Sequence, residues 1–174
     1  MKKVLIVVDM QNDFVDGALG TKEAVAIVDN VAKKIEAFDE EIIVTYDTHQ
    51  TDYMDTREGK YLPVPHCIEN TKGWQLQEKV EKALEGKNVK RLKKTTFGAV
   101  ELVKLFEDCD QTETEVTLIG LCTDICVVSN AMLLKAYYPE MNITIDASCC
   151  AGVTPESHQA SLTTMKMCQM NIEE

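Results

Sequence analysis

Four groups able to do polar chemistry stand at the ends of four apolar runs. Asp9 closes "KVLIVVD", Asp47 and His49 close "EIIVTYDTH", Lys94 closes "NVKRLKK", and Cys126 lies just beyond "EVTLIGL". A cysteine attacks as its thiolate, so it needs a proton acceptor and a setting that favours an anion. Asp9 is suited to take the thiol proton and return it to a leaving amine, and Lys94 would keep that carboxylate ionised. Thr123 is placed to cap a helix whose first turn carries Cys126, where free amides and the helix dipole favour negative charge. The backbone N–H groups of Cys122 and Cys126 are then candidates for an oxyanion hole. Each residue alone has an ordinary reading: a turn aspartate, a solvated lysine in "RLKKTT", a core thiol. Their conjunction at successive strand ends is what points to nucleophilic acyl transfer. Cys122 ends a buried run with no evident base beside it.

A second constellation lies in "YDTHQTDYMDTREGKYLPVPHC". Asp47 and His49 are two residues apart on a strand and so share a face. His66 follows a Pro-x-Pro segment that restricts the backbone presenting the imidazole. Asp52, Asp55 and Glu58 lie between them. Two histidines and two carboxylates suit one divalent ion, zinc first and iron or manganese otherwise, with positions left for water or substrate. The chain has only three histidines. The third, His158 on the last helix beside Ser157, reads as a solvated or N-terminal-turn residue.

Apolar runs alternating with helical periodicity must position these groups. The strands expected are Lys3 to Asp9, "EIIVTYDTH", "NVKRLKK", "EVTLIGL" and "NITIDAS", with a short sixth in "CQMNIEE". Helices are expected over "KEAVAIVDNVAKKIEAF", "WQLQEKVEKALEG", "GAVELVKLFED", a segment placing Val127, Ala131, Leu134 and Tyr138 on one side, and "TPESHQASLTTMKM". The last has Thr154 as N-cap and Pro155 at the first helical position. Strands that are apolar throughout, separated by helices, predict a doubly wound, mainly parallel sheet in a three-layer α/β/α sandwich. Ligands of such sheets bind at the carboxyl ends of the strands, where the winding direction reverses. The irregular stretch from His49 to Gly73 exceeds ordinary loop length and is expected to be functional or to hold small helices.

The 174 residues are expected to form one domain. A formal net charge of −11 argues against a nucleic-acid binder, which would usually show a basic face, and weakens association with anionic membranes. No apolar run is long enough to span a bilayer. The start does not read as an export signal, so the seven cysteines are expected to be reduced thiols in a cytoplasmic protein.

With these residues in place, the chain resembles the isochorismatase-like cysteine hydrolases, and among them the nicotinamidases. The resemblance rests on "VVDMQNDF", "YDTH", "PVPHC", "LKKTTF" and "GLCTDICVVSNA", in that order. It implies a catalytic triad of Asp9, Lys94 and Cys126, and a cis peptide before Cys122. It also implies a metal held by Asp47, His49 and His66, with Glu58 as the remaining ligand in place of a third histidine. Phe14 resembles an aromatic that stacks on the substrate ring. The implied activity is hydrolysis of a small carboxamide, nicotinamide to nicotinate and ammonia, through a thioester acyl-enzyme. Other amide or carbamoyl hydrolases of the family, or a metal-binding member without catalysis, are the rival readings. A homo-oligomer is implied by analogy alone.

Overall fold

A computed structural model describes all of residues 1–174. Six parallel strands form one sheet: β1 (Lys2–Val8), β2 (Glu41–Asp47), β3 (Val89–Lys94), β4 (Thr114–Leu121), β5 (Asn142–Ala151) and β6 (Asn171–Glu173). Their order is β3-β2-β1-β4-β5-β6. The winding therefore reverses between β1 and β4.

Period-two alternation fills both faces of the sheet. On β1, Leu5 and Val7 enter one core, and Val4, Ile6 and Val8 enter the other. All five are essentially inaccessible, and each such burial contributes about 1.5–3 kcal/mol relative to exposure. The first face is covered by α1 (Asn12–Val15), α2 (Lys22–Glu36) and α4 (Glu78–Ala83), through residues such as Ile27, Val31, Ile35 and Val80. The second is covered by α5 (Val100–Lys104), α6 (Val128–Tyr137) and α7 (Pro155–Met167), through Leu102, Ala131, Leu134, Leu162 and Met165. The remaining helix, α3 (Arg57–Tyr61), lies in the long segment after β2. Thr21 caps α2 by accepting from the Ala24 amide, and Thr154 with Ser157 forms a reciprocal capping box on α7.

Several elements differ from expectation. The helix expected from Trp74 begins only at Glu78, because the Gln77 side chain caps it by accepting from the Lys79 and Val80 amides. The helix after β3 contracts to one turn, Val100–Lys104. Strand β5 runs three residues further than expected, through Cys149, Cys150 and Ala151, after a register shift against β4. Cys149 and Cys150 face opposite cores, and all seven cysteines are free. No helix is long and apolar enough to cross a membrane.

Candidate active site

At the switch point the carboxyl ends of β1 and β4 stand side by side, Val8 paired with Gly120. Asp9 follows β1 in a left-handed conformation, φ 48°, and is fully buried. Its Oδ1 accepts a hydrogen bond from Thr45 Oγ1 at 2.6 Å. Its Oδ2 lies 2.7 Å from Lys94 Nζ, on the side of the carboxylate that Thr45 does not occupy. Lys94 Nζ is also 3.3 Å from Cys126 Sγ and 3.4 Å from Asp47 Oδ1. One ammonium thus touches two carboxylates and a sulfur, all shielded from water.

Burial and these neighbours set the charges. Burial disfavours the Lys94 cation, but Asp9, Cys126 and Asp47 outweigh it and hold its pKa above the usual lysine value. Burial raises Asp9 above the ordinary carboxyl range, against the opposing pull of Lys94. An aspartate so raised is a stronger proton acceptor than a surface carboxylate. Burial, then the Asp9 charge, push the Cys126 thiol well above its ordinary value despite Lys94. A sulfur in this setting needs a proton acceptor beside it when it attacks, the part Asp9 is placed to play. Cys122 is pushed up to about 12, first by burial and then by Asp124, and it has no Lys94 contact of the kind Cys126 makes.

The turn after β4 also differs from expectation. Residues Thr123–Val127 form a π-helical turn that continues into α6, and Cys122 rather than Thr123 occupies the cap position. Thr123 makes no capping bond; its hydroxyl instead meets His158 Nδ1 at 2.8 Å. His158 is accordingly half-buried rather than solvated. The Ile125 and Val127 amides both donate to the Cys122 carbonyl, drawing the turn tight around Cys126. The Leu121–Cys122 peptide is cis.

Asp47, His49 and His66 each offer a ligand atom, all within 4.8 Å of one another, and all three residues are buried. Asp47 Oδ2 lies 3.0 Å from His49 Nε2 and 3.5 Å from His66 Nε2. His66 Nδ1 is 2.8 Å from the Val64 carbonyl, which selects the tautomer that leaves Nε2 free as a ligand. Glu58 Oε1 completes the approach at 3.7 and 3.8 Å from the two imidazoles. Asp52 and Asp55, the other carboxylates of this segment, are exposed. The imidazole and carboxylate donors converge as a divalent ion requires, so the residues fit a metal.

A cavity of about 370 Å³ joins the two clusters. Asp47, Glu58, His66 and Cys126 share its wall with Phe14, Leu62, Phe97 and Leu121 among others, and no arginine or lysine lines it. The Phe14 ring stands 5.4 Å from that of His66.

Several residues that hold this geometry were not legible as functional. Gln11 is fully buried; its Nε2 donates to the carbonyls of Asp47 and Trp74, and its Oε1 accepts from the Asp47 amide. Asp13 accepts from the Cys67 amide at 2.7 Å, fixing the backbone beside His66. The Tyr53 ring packs edge-on against both imidazoles, and its hydroxyl donates to the Leu62 carbonyl. The polar residues of "QNDF" just after a buried strand were the available signal for the first two.

Comparison with known proteins agrees with this architecture. The family model for the isochorismatase domain matches residues 3–173. The chain belongs to the isochorismatase family. Within it, similarity runs to amidohydrolases. A nicotinamidase/pyrazinamidase of Bacillus subtilis is 32% identical, with full coverage of both chains and a TM-score of 0.84. A zinc complex of pyrazinamidase from Pyrococcus horikoshii is 25% identical, covers 100% of this chain and 99% of that one, and has a TM-score of 0.79. The nicotinamidase of Saccharomyces cerevisiae is 25% identical over 173 residues, which span 75% of this chain and 80% of the relative.

Proposed function

We propose that this amidohydrolase cleaves a small aromatic carboxamide, nicotinamide to nicotinate and ammonia, with Asp9, Lys94 and Cys126 as its catalytic residues. The observation that carries the reading is the placement of Lys94 Nζ beside both Asp9 Oδ2 and Cys126 Sγ, just behind a cavity whose wall carries Cys126 together with Asp47, Glu58 and His66. The named activities of the relatives support the same substrate.

In this reading Asp9 Oδ2 takes the thiol proton as Cys126 Sγ attacks the amide carbon. Lys94 stays protonated and offsets the charge of Asp9. The backbone N–H groups of Cys122 and Cys126 stabilise the developing oxyanion. Asp9 then gives its proton to the nitrogen, the C–N bond breaks, and ammonia leaves a thioester on Cys126. Water attacks the thioester carbon, Asp9 accepts its proton, and the C–S bond breaks to release the acid. The proton on Asp9 returns to the sulfur.

Phe14 and Leu62 supply apolar contact for the ring. Asp47, His49, His66 and Glu58 would hold one divalent ion, zinc by the analogy of the Pyrococcus enzyme, which when bound supplies a Lewis acid for the ring nitrogen. The wall of the cavity is mainly apolar, which suits an aromatic ring better than a carboxylate-bearing carbamoyl compound. A role in NAD salvage goes with the proposed substrate, and the seven free cysteines fit a reducing, cytoplasmic location.

Ammonia release measured over nicotinamide, pyrazinamide and carbamoyl amino acids, with and without chelator, tests the reading. Turnover of the aromatic amides alone is expected. Turnover confined to carbamoyl compounds would overturn the substrate assignment.

A further inference from the structure

We infer that His158 is a positioning residue for the oxyanion turn, acting through the Thr123 hydroxyl. The inference rests on the amidase reading above and extends it to a residue outside the cavity.

The ends of β4 and β5 are neighbours, with Leu121 paired to Ala151. The turn Cys122–Val127 therefore runs beside Gly152 and Val153, and both of these line the cavity. Two polar clasps join the segments. The Asp124 carboxylate accepts the Val153 amide at 3.1 and 3.2 Å. Thr123 Oγ1 meets His158 Nδ1 at 2.8 Å.

Thr123 is wholly buried, and a buried hydroxyl needs a partner. It makes no cap bond, so the imidazole supplies that partner. The imidazole is itself held firmly. The Thr154–Ser157 capping box fixes the first turn of α7, and the His158 amide donates to the Thr154 carbonyl at 3.0 Å. Gly152 lets that turn seat closely, since a Cβ there would lie 2.9 Å from both the amide nitrogen and Cβ of His158. Burial lowers the imidazole's pKa, with Asp124 opposing, which keeps the ring neutral and suited to sharing a proton with a hydroxyl.

Cys122 and Cys126, whose amides face the oxyanion in the proposed mechanism, lie on either side of Thr123 in a single turn. Releasing Thr123 from α7 frees that turn to shift. A contact made chiefly in the transition state shows in kcat rather than KM.

The test is steady-state ammonia release from nicotinamide by the wild type, His158→Ala, His158→Asn, Thr123→Val and the double variant His158→Ala/Thr123→Val. Asparagine places an amide oxygen or nitrogen close to the position of Nδ1, so it restores the clasp whichever partner donates. His158→Ala is expected to lower kcat roughly tenfold or more with KM within about twofold of wild type. His158→Asn is expected to recover to within about twofold of wild type, and Thr123→Val to match His158→Ala. The double variant is expected to be no worse than either single one, because both remove the same clasp.

Wild-type kcat in His158→Ala, no recovery in His158→Asn, or losses that multiply in the double variant would each overturn the inference. If His158→Ala does not fold, the near-isosteric Thr123→Val decides, and a normal kcat there is equally fatal. An inactive wild type overturns the amidase reading along with the inference. An active wild type with indifferent variants overturns the inference alone.

Discussion

Lys94 Nζ meets Asp9 Oδ2 at 2.7 Å although the strands carrying them, β3 and β1, are separated by β2. The long lysine side chain crosses the end of β2, passing Asp47 on the way. Both groups are buried, Lys94 with 2% and Asp9 with 0% side-chain exposure. Breaking such a pair leaves a charge stranded away from water. Lys94→Met is therefore expected to lose about 3–5 kcal/mol of stability in urea unfolding, together with ammonia release. Wild-type stability in this variant would mean that the pair is solvated in solution.

Cys126 supplies the cleanest separation of chemistry from structure. Its side chain is small, and alanine leaves the surrounding ion pair intact. Cys126→Ala is expected to fold, to retain metal, and to release no ammonia. In acid-quenched wild type under turnover, mass spectrometry should find the acyl adduct on the peptide carrying Cys126. An adduct on Cys122, or normal turnover by the alanine variant, would reassign the nucleophile.

The sheet was legible because its strands are apolar on both faces and stop at polar residues. Asp9, Asp47, Lys94 and Cys126 could be placed at strand ends from that pattern alone. What could not be read were contacts between elements distant in sequence. Nothing local to Thr123 says that its hydroxyl turns toward His158 rather than capping its own helix. Nothing local to Gln77 outweighs the apolar periodicity that extended α4 back to Trp74. The setting of Cys126 divides in the same way: the helix start is visible in sequence, whereas burial beside Asp9 is a property of the assembled core.

Gly120 is required by close packing at the switch point. Its φ is 118°, and a Cβ there would lie 2.1 Å from the Val8 carbonyl oxygen. Neither the conformation nor the contact admits a side chain. Gly120→Ala is expected to lose roughly 3 kcal/mol, read as a lower urea midpoint at unchanged m-value. Activity should fall with it, since Val8 leads directly into Asp9. An unchanged midpoint would show that β1 and β4 separate without cost.

Lys34 of α2 and Asp146 of β5 form an ion pair at 2.8 Å, and Ser148 Oγ donates to the same carboxylate at 2.6 Å. Burial alone would raise Asp146, but Lys34 and Ser148 outweigh it and hold the carboxyl below its usual range. A carboxyl whose folded pKa lies below its unfolded value adds stability above the unfolded value, near pH 4. That contribution is lost as pH falls through the folded value. Lys34→Met is expected to cost about 1–2 kcal/mol at pH 7. The gap to wild type should narrow below about pH 4. A gap that stays constant through the acid range would assign the loss to packing of the lysine stem.

Glu58 approaches both imidazoles, whereas Asp52 and Asp55 are turned to solvent. Helix α3 fixes that choice: a Cβ on Gly59 would sit 2.1 Å from the Tyr53 carbonyl oxygen, so the helix packs directly on the preceding turn. Glu58→Gln keeps the shape and removes the charge. It is expected to weaken retention of added zinc by about tenfold or more in competition with a chelator, with metal content read by elemental analysis. Asp52→Ala and Asp55→Ala should retain metal as the wild type does. Loss of metal in either aspartate variant, with Glu58→Gln unaffected, would move the fourth ligand out of α3.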